Sequence, residues 1–192
     1  MSPDVLLGRM DRHDIRASAR ILALAACVAA AGSWAAGAPA RAADISFDAA
    51  GRLLRPVDYR EWIYLSSGFD MSYTARTDAG HSMFDNVFVN RSAYDAFRRS
   101  GHWPDGTILV LEVRGAESMG SINKAGHFQS REVMGLEAHV KDARIPGGWG
   151  FYAFEDKPVA TRLPHTEDCY ACHEKHGAVD TTFVQFYPTL DR

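Results

Sequence analysis

The amino-acid sequence predicts an α+β fold dominated by an antiparallel β-sheet and accompanied by short helices. Three observations favour this class. Residues 107–113 are rich in apolar and β-branched side chains, whose alternation gives one strand two distinct faces. Residues 84–89 and 149–154 are further aromatic and β-branched runs. Turn signals built from proline and glycine occur at 104–106 and 146–148, between the β-prone runs.

The composition is that of an ordinary globular protein. The chain has 192 residues, of which 46% are hydrophobic and 23% are charged, with a formal net charge of −3. These values argue against wholesale disorder and against a coiled coil. A mildly acidic chain is also a poor match for a nucleic-acid-binding surface. Without a leader, about 150 residues remain, which is enough for one core without disulfides.

The N-terminal segment has the organisation of an export signal. Four arginines precede an apolar run at 21–31, and residues 38–43 offer small side chains for cleavage. We therefore predict a cleaved signal peptide at 1–42, one domain at 43–192 and a periplasmic protein with no membrane attachment after cleavage. The apolar run is too short for a membrane anchor, which needs about 20 residues. A lipoprotein attached through Cys27 is the alternative.

Short elements are expected in the first half of the domain, after a leading segment at 44–56. Asn90 is a suitable N-cap for a helix, and Gly101 is a suitable stop. The predicted elements are a short helix at 57–62, a β-prone run at 62–65, a polar loop at 72–81, a strand at 84–89 and a helix at 92–100.

The second half is expected to supply most of the sheet. In the strand at 107–113, Leu109 and Leu111 share one face, whereas Ile108, Val110 and Glu112 share the other. Thr166 and Gly177 bound a predicted C-terminal helix as N-cap and stop. The remaining predictions are a polar loop at 115–125, a long and bulged strand at 128–140, a strand at 149–154 and an extended segment at 183–187.

The motif that carries chemistry is C-x-x-C-H, formed by Cys169, Cys172 and His173. This is the signature of covalent haem c attachment. Two thiols separated by two residues on a helical turn reach the two vinyl groups of one porphyrin, and the adjacent histidine coordinates the iron. The sequence therefore predicts one haem c on the C-terminal helix. Attachment needs an exported chain with reduced thiols, and the predicted signal peptide provides for export.

Three other readings of the cysteine pair remain open at this stage. A thioredoxin-like redox pair would follow a strand in a βαβ unit, and this pair lies near the C-terminus. A zinc site would need Cys169, Cys172, His173 and His176 in one crowded cluster. A disulfide across two intervening residues would be strained.

A haem held by one histidine leaves the second axial position to be assigned. A methionine or histidine in that position favours an electron carrier, whereas an open position favours ligand binding or catalysis. No local pattern selects among the candidates, which are Met71, Met83, Met119, Met134, His81, His102, His127 and His139.

Several stretches in order along nearly the whole mature chain resemble the cytochrome P460 family, which includes the cytochromes c-prime-beta. The most specific is C-x-x-C-H followed by F-x-x-F-Y-P at 183–188. The others are YREW at 59–62, VFV at 87–89 with Tyr94, DGT at 105–107, GLEAHVKD at 135–142 and GW at 148–149.

The resemblance implies a β-rich homodimer with a high-spin haem c, His173 as the proximal ligand and an open distal face. Members of the family differ in activity. Some oxidise hydroxylamine and have an additional covalent bond from a lysine to the haem. Others lack this bond and bind nitric oxide or related small molecules in an apolar pocket. The electron partner of this chain is not identified by its sequence.

Matching the family motifs assigns further residues as expectations. Leu111 falls at the position of the cross-linking lysine, and leucine cannot form that bond. Glu137 matches an acidic residue of the distal pocket, where it would handle protons, although a surface carboxylate is an equal alternative. Phe84 is expected either over the haem face or simply in the core. Asp85 replaces a basic residue found in hydroxylamine-oxidising members. Lys124 is the lysine nearest in sequence to Leu111, but it lies in a different loop and is not expected to replace the cross-linking lysine.

These observations lead to three hypotheses for the function. The first is a periplasmic mono-haem c-type cytochrome whose open iron site binds a small diatomic ligand such as nitric oxide. The second is a hydroxylamine or nitrogen-oxide oxidoreductase, which Leu111 argues against. The third is an electron-transfer cytochrome with one of the methionines as sixth ligand.

Overall fold

A computed structural model describes residues 45–71 and 82–191 and confirms a β-dominated α+β fold. The predicted signal peptide and the predicted loop at 72–81 lie outside the described residues. The elements are β1 (Leu53–Leu54), a 3-10 helix (Tyr59–Glu61), β2 (Ile63–Phe69), β3 (Met83–Val89), α1 (Arg91–Ser100), β4 (Ile108–Glu117), β5 (Phe128–Lys141), β6 (Trp149–Ala153), β7 (Val159–Ala160), α2 (Asp168–His176) and two further 3-10 helices (Val184–Phe186 and Pro188–Leu190). The main sheet is antiparallel, with strand order β2-β3-β4-β5-β6, and β1 pairs with β7.

Strand β4 lies in the middle of the sheet and is buried on both faces. Ile108 and Val110 are fully buried and belong to a core that also contains Phe154. Leu109 points the other way, into a second core with Val89. The two faces predicted from the alternation in this strand are confirmed. One strand therefore separates two environments that differ in chemistry.

Helix α1 is tied at its start to the first residues of β4. Asn90 is the N-cap residue, as predicted, and Gly101 ends the helix in the left-handed conformation with φ of 76°. The side-chain amide of Asn90 donates to the Gly106 carbonyl at 3.1 Å, and its oxygen accepts from the Ile108 N–H at 3.1 Å. The cap residue thus fixes the turn that leads into β4. Among the described residues, no helix is both long and apolar enough to cross a bilayer.

Helix α2 begins later than predicted. It spans Asp168–His176, with Glu167 rather than Thr166 at the N-cap position. The Glu167 N–H donates to the Pro164 carbonyl at 3.1 Å, so residues 164–167 form a separate turn before the helix. Gly177 follows the last helical residue, as predicted.

The ends of the loops and the last segment also differ from expectation. The predicted loop at 115–125 is shorter, because β4 continues to Glu117, which pairs with Phe128. Strand β5 is long, and its pairing with β4 is irregular, in agreement with the predicted bulge. The predicted extended segment at 183–187 is instead a 3-10 helix, Val184–Phe186. The reason is local, because the Phe186 N–H donates to the Phe183 carbonyl at 2.9 Å.

The C-terminal segment covers the outer edge of β2. The Thr189 hydroxyl donates to the Leu65 carbonyl at 3.0 Å, although the two residues are 124 positions apart. The Tyr94 hydroxyl donates to the Thr189 carbonyl at 3.0 Å, and Arg98 donates to the Leu190 carbonyl at 3.0 Å. Helix α1 therefore holds the segment against the sheet, and the edge strand is partly satisfied from within the chain.

Glu112 is a buried carboxylate on the Ile108 face of β4. It is 3% exposed and accepts hydrogen bonds from the Tyr59 hydroxyl, from Arg60 Nε at 2.8 Å and from Arg114. Burial alone would raise the pKa of Glu112, but the hydrogen bonds from Arg114, Tyr59 and Arg60 lower it below its ordinary value. Burial and the bond to Glu112 raise the pKa of Tyr59 to about 12.

We predict that Glu112→Gln lowers the free energy of unfolding by about 3 kcal/mol at neutral pH, because it removes one partner of a buried ion cluster. The pKa of Glu112 is lower in the folded than in the unfolded protein, so its contribution is complete above an unfolded pKa of about 4.3 and is lost as the pH falls through the folded value. Urea denaturation between pH 7 and pH 3 should therefore show a difference that shrinks on acidification.

The matched control for this comparison is Glu155→Gln, which breaks the exposed pair between Glu155 and Lys157. It is expected to leave the unfolding free energy nearly unchanged. Equal effects of the two substitutions would contradict the role assigned to Glu112.

Candidate functional site

Helix α2 is anchored to the sheet by Tyr170. This residue is 5% exposed, and its hydroxyl donates to the Leu163 carbonyl at 3.1 Å. The same hydroxyl accepts from the Phe151 N–H of β6 at 3.3 Å. The helix is therefore held with a fixed rotation, which determines where the cysteine and histidine side chains beside Tyr170 point.

The C-x-x-C-H motif occupies this anchored helix. Cys169, Cys172 and His173 are spaced at i, i+3 and i+4, so they lie on one side of α2. Both cysteines are partly buried and neither forms a disulfide. Burial raises the pKa of the Cys169 thiol. The pair is thus available as two thiols for covalent attachment.

His173 has a defined tautomer and a crowded surrounding. Its Nδ1 lies 2.8 Å from the Thr181 carbonyl oxygen, which can only accept, so Nδ1 carries the proton and Nε2 is left as a bare donor atom for a metal. The rings of Phe183 and Phe151 pack against the imidazole, with centroids 4.3 and 4.6 Å away. Burial lowers the pKa of His173, which favours the neutral, ligating form.

The carbonyl that accepts from His173 belongs to a tight turn in an unusual conformation. Asp180 and Thr181 have φ of 50° and 61°, both in the left-handed region, which is costly for a β-branched residue. Asp180 accepts from Lys141 Nζ at 3.0 Å, and the Trp103 indole donates to the Thr182 hydroxyl at 2.8 Å. The turn is therefore held in place from β5 and from the loop before β4. The sequence offered no glycine or asparagine signal for it.

A cavity of about 170 Å³ opens beside His173. Strands β2 to β6 provide one wall and the C-terminal segment provides another. Leu111 of β4 and Glu137 of β5 both line the cavity and are directly paired in the sheet. The remaining lining residues are Ser66, Gly68, Met71, Asp85, Val87, Leu109, Val110, Ala138, His139, Phe151, Thr182, Phe183, Phe186 and Tyr187. The structure thus brings together His173, Leu111 and Glu137, which the sequence singled out separately.

Phe84 lies elsewhere. It neighbours Asp85 in β3 and therefore faces the other side of the sheet. Its ring packs against Phe69, with centroids 4.9 Å apart. The structure therefore does not bring Phe84 to the cavity, contrary to the expectation of a position over the haem face. Alternation along β3 is the reason, and it brings Asp85 to the cavity in its place.

Two of the candidate axial ligands, Met71 and His139, line the cavity. The rings of His139 and His173 are in direct edge-to-face contact, with centroids 5.1 Å apart. Two rings in contact leave no room for a porphyrin between them, so His139 would not serve as a second ligand to an iron held by His173. His81 lies outside the described residues. Met83, Met119, Met134, His102 and His127 are not among the lining residues.

His139 is also notable because a polar atom is buried without a partner. The ring stacks on Phe151 with centroids 4.0 Å apart, and it also packs against Trp149. Its Nε2 is buried and accepts or donates no hydrogen bond among the described residues. Burial, and to a lesser extent the nearby His173, lower the pKa of His139 well below its ordinary value. It is therefore a neutral ring that packs against His173.

The cavity has two acidic side chains. Glu137 is exposed to solvent, yet the surrounding protein raises its pKa, with a further contribution from the charge of Asp85. Burial also raises the pKa of Asp85, followed by the charge of Asp70.

Within the described residues, no group of three or more histidine, cysteine or acidic side chains is arranged to hold a metal ion, so the zinc interpretation that included His176 finds no support.

Comparison with known proteins agrees with the geometry. The family model described as Cytochrome P460 matches residues 56–184, a range that contains the main sheet, the whole of α2 and the cavity lining except Phe186 and Tyr187. No curated protein matches the chain significantly.

We predict that Asp180→Asn lowers the free energy of unfolding by about 1–2 kcal/mol, because it weakens charge-assisted hydrogen bonds that hold a strained turn. Urea denaturation measures the change. Asp95→Asn, which weakens an exposed pair with Arg91 on α1, is the control of equal charge change. An effect of Asp180→Asn no larger than that of the control would contradict the clamping role of Asp180.

Proposed function

Because the chain belongs to the cytochrome P460 family, we propose that it is an exported mono-haem c-type cytochrome whose iron keeps an open position for a small neutral ligand such as nitric oxide. Membership of the family implies a haem c cofactor.

The residues of α2 fit covalent attachment of this cofactor. Each of the Cys169 and Cys172 thiols would add across one vinyl group, so that S–H and C=C become a thioether without any oxidant. His173 would offer Nε2 to the iron, because Nδ1–H is held by the Thr181 carbonyl at 2.8 Å. When bound, the haem supplies an iron that takes up a diatomic ligand or exchanges an electron.

The observation that carries the proposal is Leu111 in the cavity wall. Leu111 lies beside Val87 and Leu109, which extend an apolar surface across β3 and β4. No lysine occurs among the described lining residues, so no third bond to the haem is available from them. An apolar wall favours a neutral diatomic ligand, which loses little on desolvation. The same feature disfavours the hydroxylamine oxidase reading, which depends on that lysine.

A second candidate function is electron transfer with Met71 as the sixth ligand. Met71 lines the cavity and is 45% exposed. The Met71 sulfur packs closely against Gly68, since a Cβ atom added to Gly68 would lie 2.5 Å from that sulfur. A thioether is a suitable axial ligand in electron carriers.

The location and the assembly of the protein are also proposals. The basic, apolar and small-residue regions of 1–42 support export to the periplasm, where haem c attachment would follow. A homodimer is proposed on family resemblance alone. Anchoring through Cys27 is the minor alternative.

Intact mass spectrometry under denaturing conditions tests the attachment. We predict a mature chain that carries the mass of one haem through denaturation, because two thioethers hold it. The double variant Cys169→Ser with Cys172→Ser should release its haem into acidified organic solvent, and the double variant Met83→Leu with Met134→Leu is the control. Haem retention by the cysteine variant would reveal a further bond and would contradict the proposal.

Optical spectroscopy tests the open coordination position. We predict high-spin, five-coordinate spectra for the ferric and ferrous protein, and a marked change when nitric oxide is added to the ferrous form. A low-spin spectrum that is insensitive to nitric oxide would contradict the proposal. Conversion of such a spectrum to high-spin by Met71→Leu would then identify the electron carrier. An unusually red-shifted ferrous Soret band would instead support a cross-linked haem and hydroxylamine oxidation.

A further inference from the structure

Two carboxylates line the cavity, one on each side of its central strand β4: Asp85 on β3 and Glu137 on β5. Leu111 of β4 pairs with Val87 of β3 on one side and with Glu137 of β5 on the other. Asp85 lies two residues from Val87 on the same face of β3. Both acidic side chains therefore face the space that His173 faces, with the apolar Leu111 between their strands.

No basic partner for these two charges is found among the described residues. Those that line the cavity include no lysine and no arginine. Within the described ranges, neither Asp85 nor Glu137 takes part in an ion pair. Of the two lining histidines, His173 donates from Nδ1 to the Thr181 carbonyl, and the His139 ring stacks on Phe151.

The opposite face of the same strand provides an internal comparison. Glu112 is 3% exposed, and Arg60 and Arg114 neutralise it at short range. The described residues therefore supply guanidinium partners for a buried carboxylate on one face of β4 and none for the carboxylates that line the cavity on the other. Negative charge is left on the cavity side.

We propose that Asp85 and Glu137 make this cavity reject anionic iron ligands and admit neutral or cationic ones, with Asp85 as a specificity-determining residue. The inference rests on the proposed function, because it concerns ligands of a haem attached beside His173. It extends that function from a single ligand to a class, which includes nitric oxide and neutral or protonated hydroxylamine.

The physical reason is charge repulsion in a space that is only partly open to solvent. Two charges interact several times more strongly near protein than in water, and an entering anion also loses its hydration. Burial raises the pKa of Glu137, and the charge of Asp85 raises it further, so added negative charge is unfavourable there. A ligand with N–H or O–H groups would instead donate to these carboxylates. Discrimination thus comes from repulsion of the wrong ligand as well as attraction of the right one.

The test is a pair of optical titrations on the haem-loaded protein. Fluoride is added to the ferric form as the anionic probe, and nitric oxide is added to the ferrous form as the neutral probe. We expect Asp85→Asn and Glu137→Gln each to raise the affinity for fluoride, relative to that for nitric oxide, by about tenfold. Asp85→Glu keeps the charge and should behave as the parent protein does. Asp95→Asn on α1 removes an equal charge away from the cavity and should have no effect.

Using two independent positions keeps the test decisive if one variant does not fold. An unchanged ratio of the two affinities in Asp85→Asn and Glu137→Gln would overturn this inference and leave the open-site proposal intact. A low-spin parent protein that binds neither probe would overturn both. A raised ratio that also appears in Asp95→Asn would show a general charge effect and would overturn the assignment to the cavity.

Discussion

The burial of β4 on both faces is the constraint on which the rest of the structure depends. Because successive side chains of a strand point to opposite sides, Ile108 and Val110 must enter one core while Leu109 enters the other. A shift of one residue in register would exchange the two sets. The same alternation separates Glu112, with its arginine partners, from Leu111 in the cavity wall. The scaffold and the site are therefore determined by one strand.

The second requirement of the site is a carbonyl at the right place beside His173. It is met by backbone that is itself unfavourable, since Thr181 has φ of 61°. Such a conformation persists only where its surroundings hold it, and here Lys141 and Trp103 do so. The tautomer of His173 thus depends on residues that are far away in sequence and that are not among those lining the cavity.

The sequence could predict what depends on short spacing or on alternation. The C-x-x-C-H motif lies within one helix, and the period of β4 predicted that Leu109 and Leu111 share a face. It could not predict which face of β3 meets the cavity, because both Phe84 and Asp85 suit a half-buried strand, and only the pairing with β4 decides. The turn at Asp180 and Thr181 could not be predicted, because β-branched Thr181 is a poor residue for the left-handed region and tertiary contacts hold the turn.

The cover that Thr189 provides for β2 has a consequence for folding kinetics. Its hydroxyl reaches the Leu65 carbonyl across 124 positions of the chain. The entropy of closing such a loop grows only slowly with its length, so the cost in stability is modest. The search for such a distant contact is slow, however, and the outer carbonyls of β2 stay open to other chains until it is complete. Folding intermediates that lack this contact therefore present an uncovered strand edge with which another chain can pair.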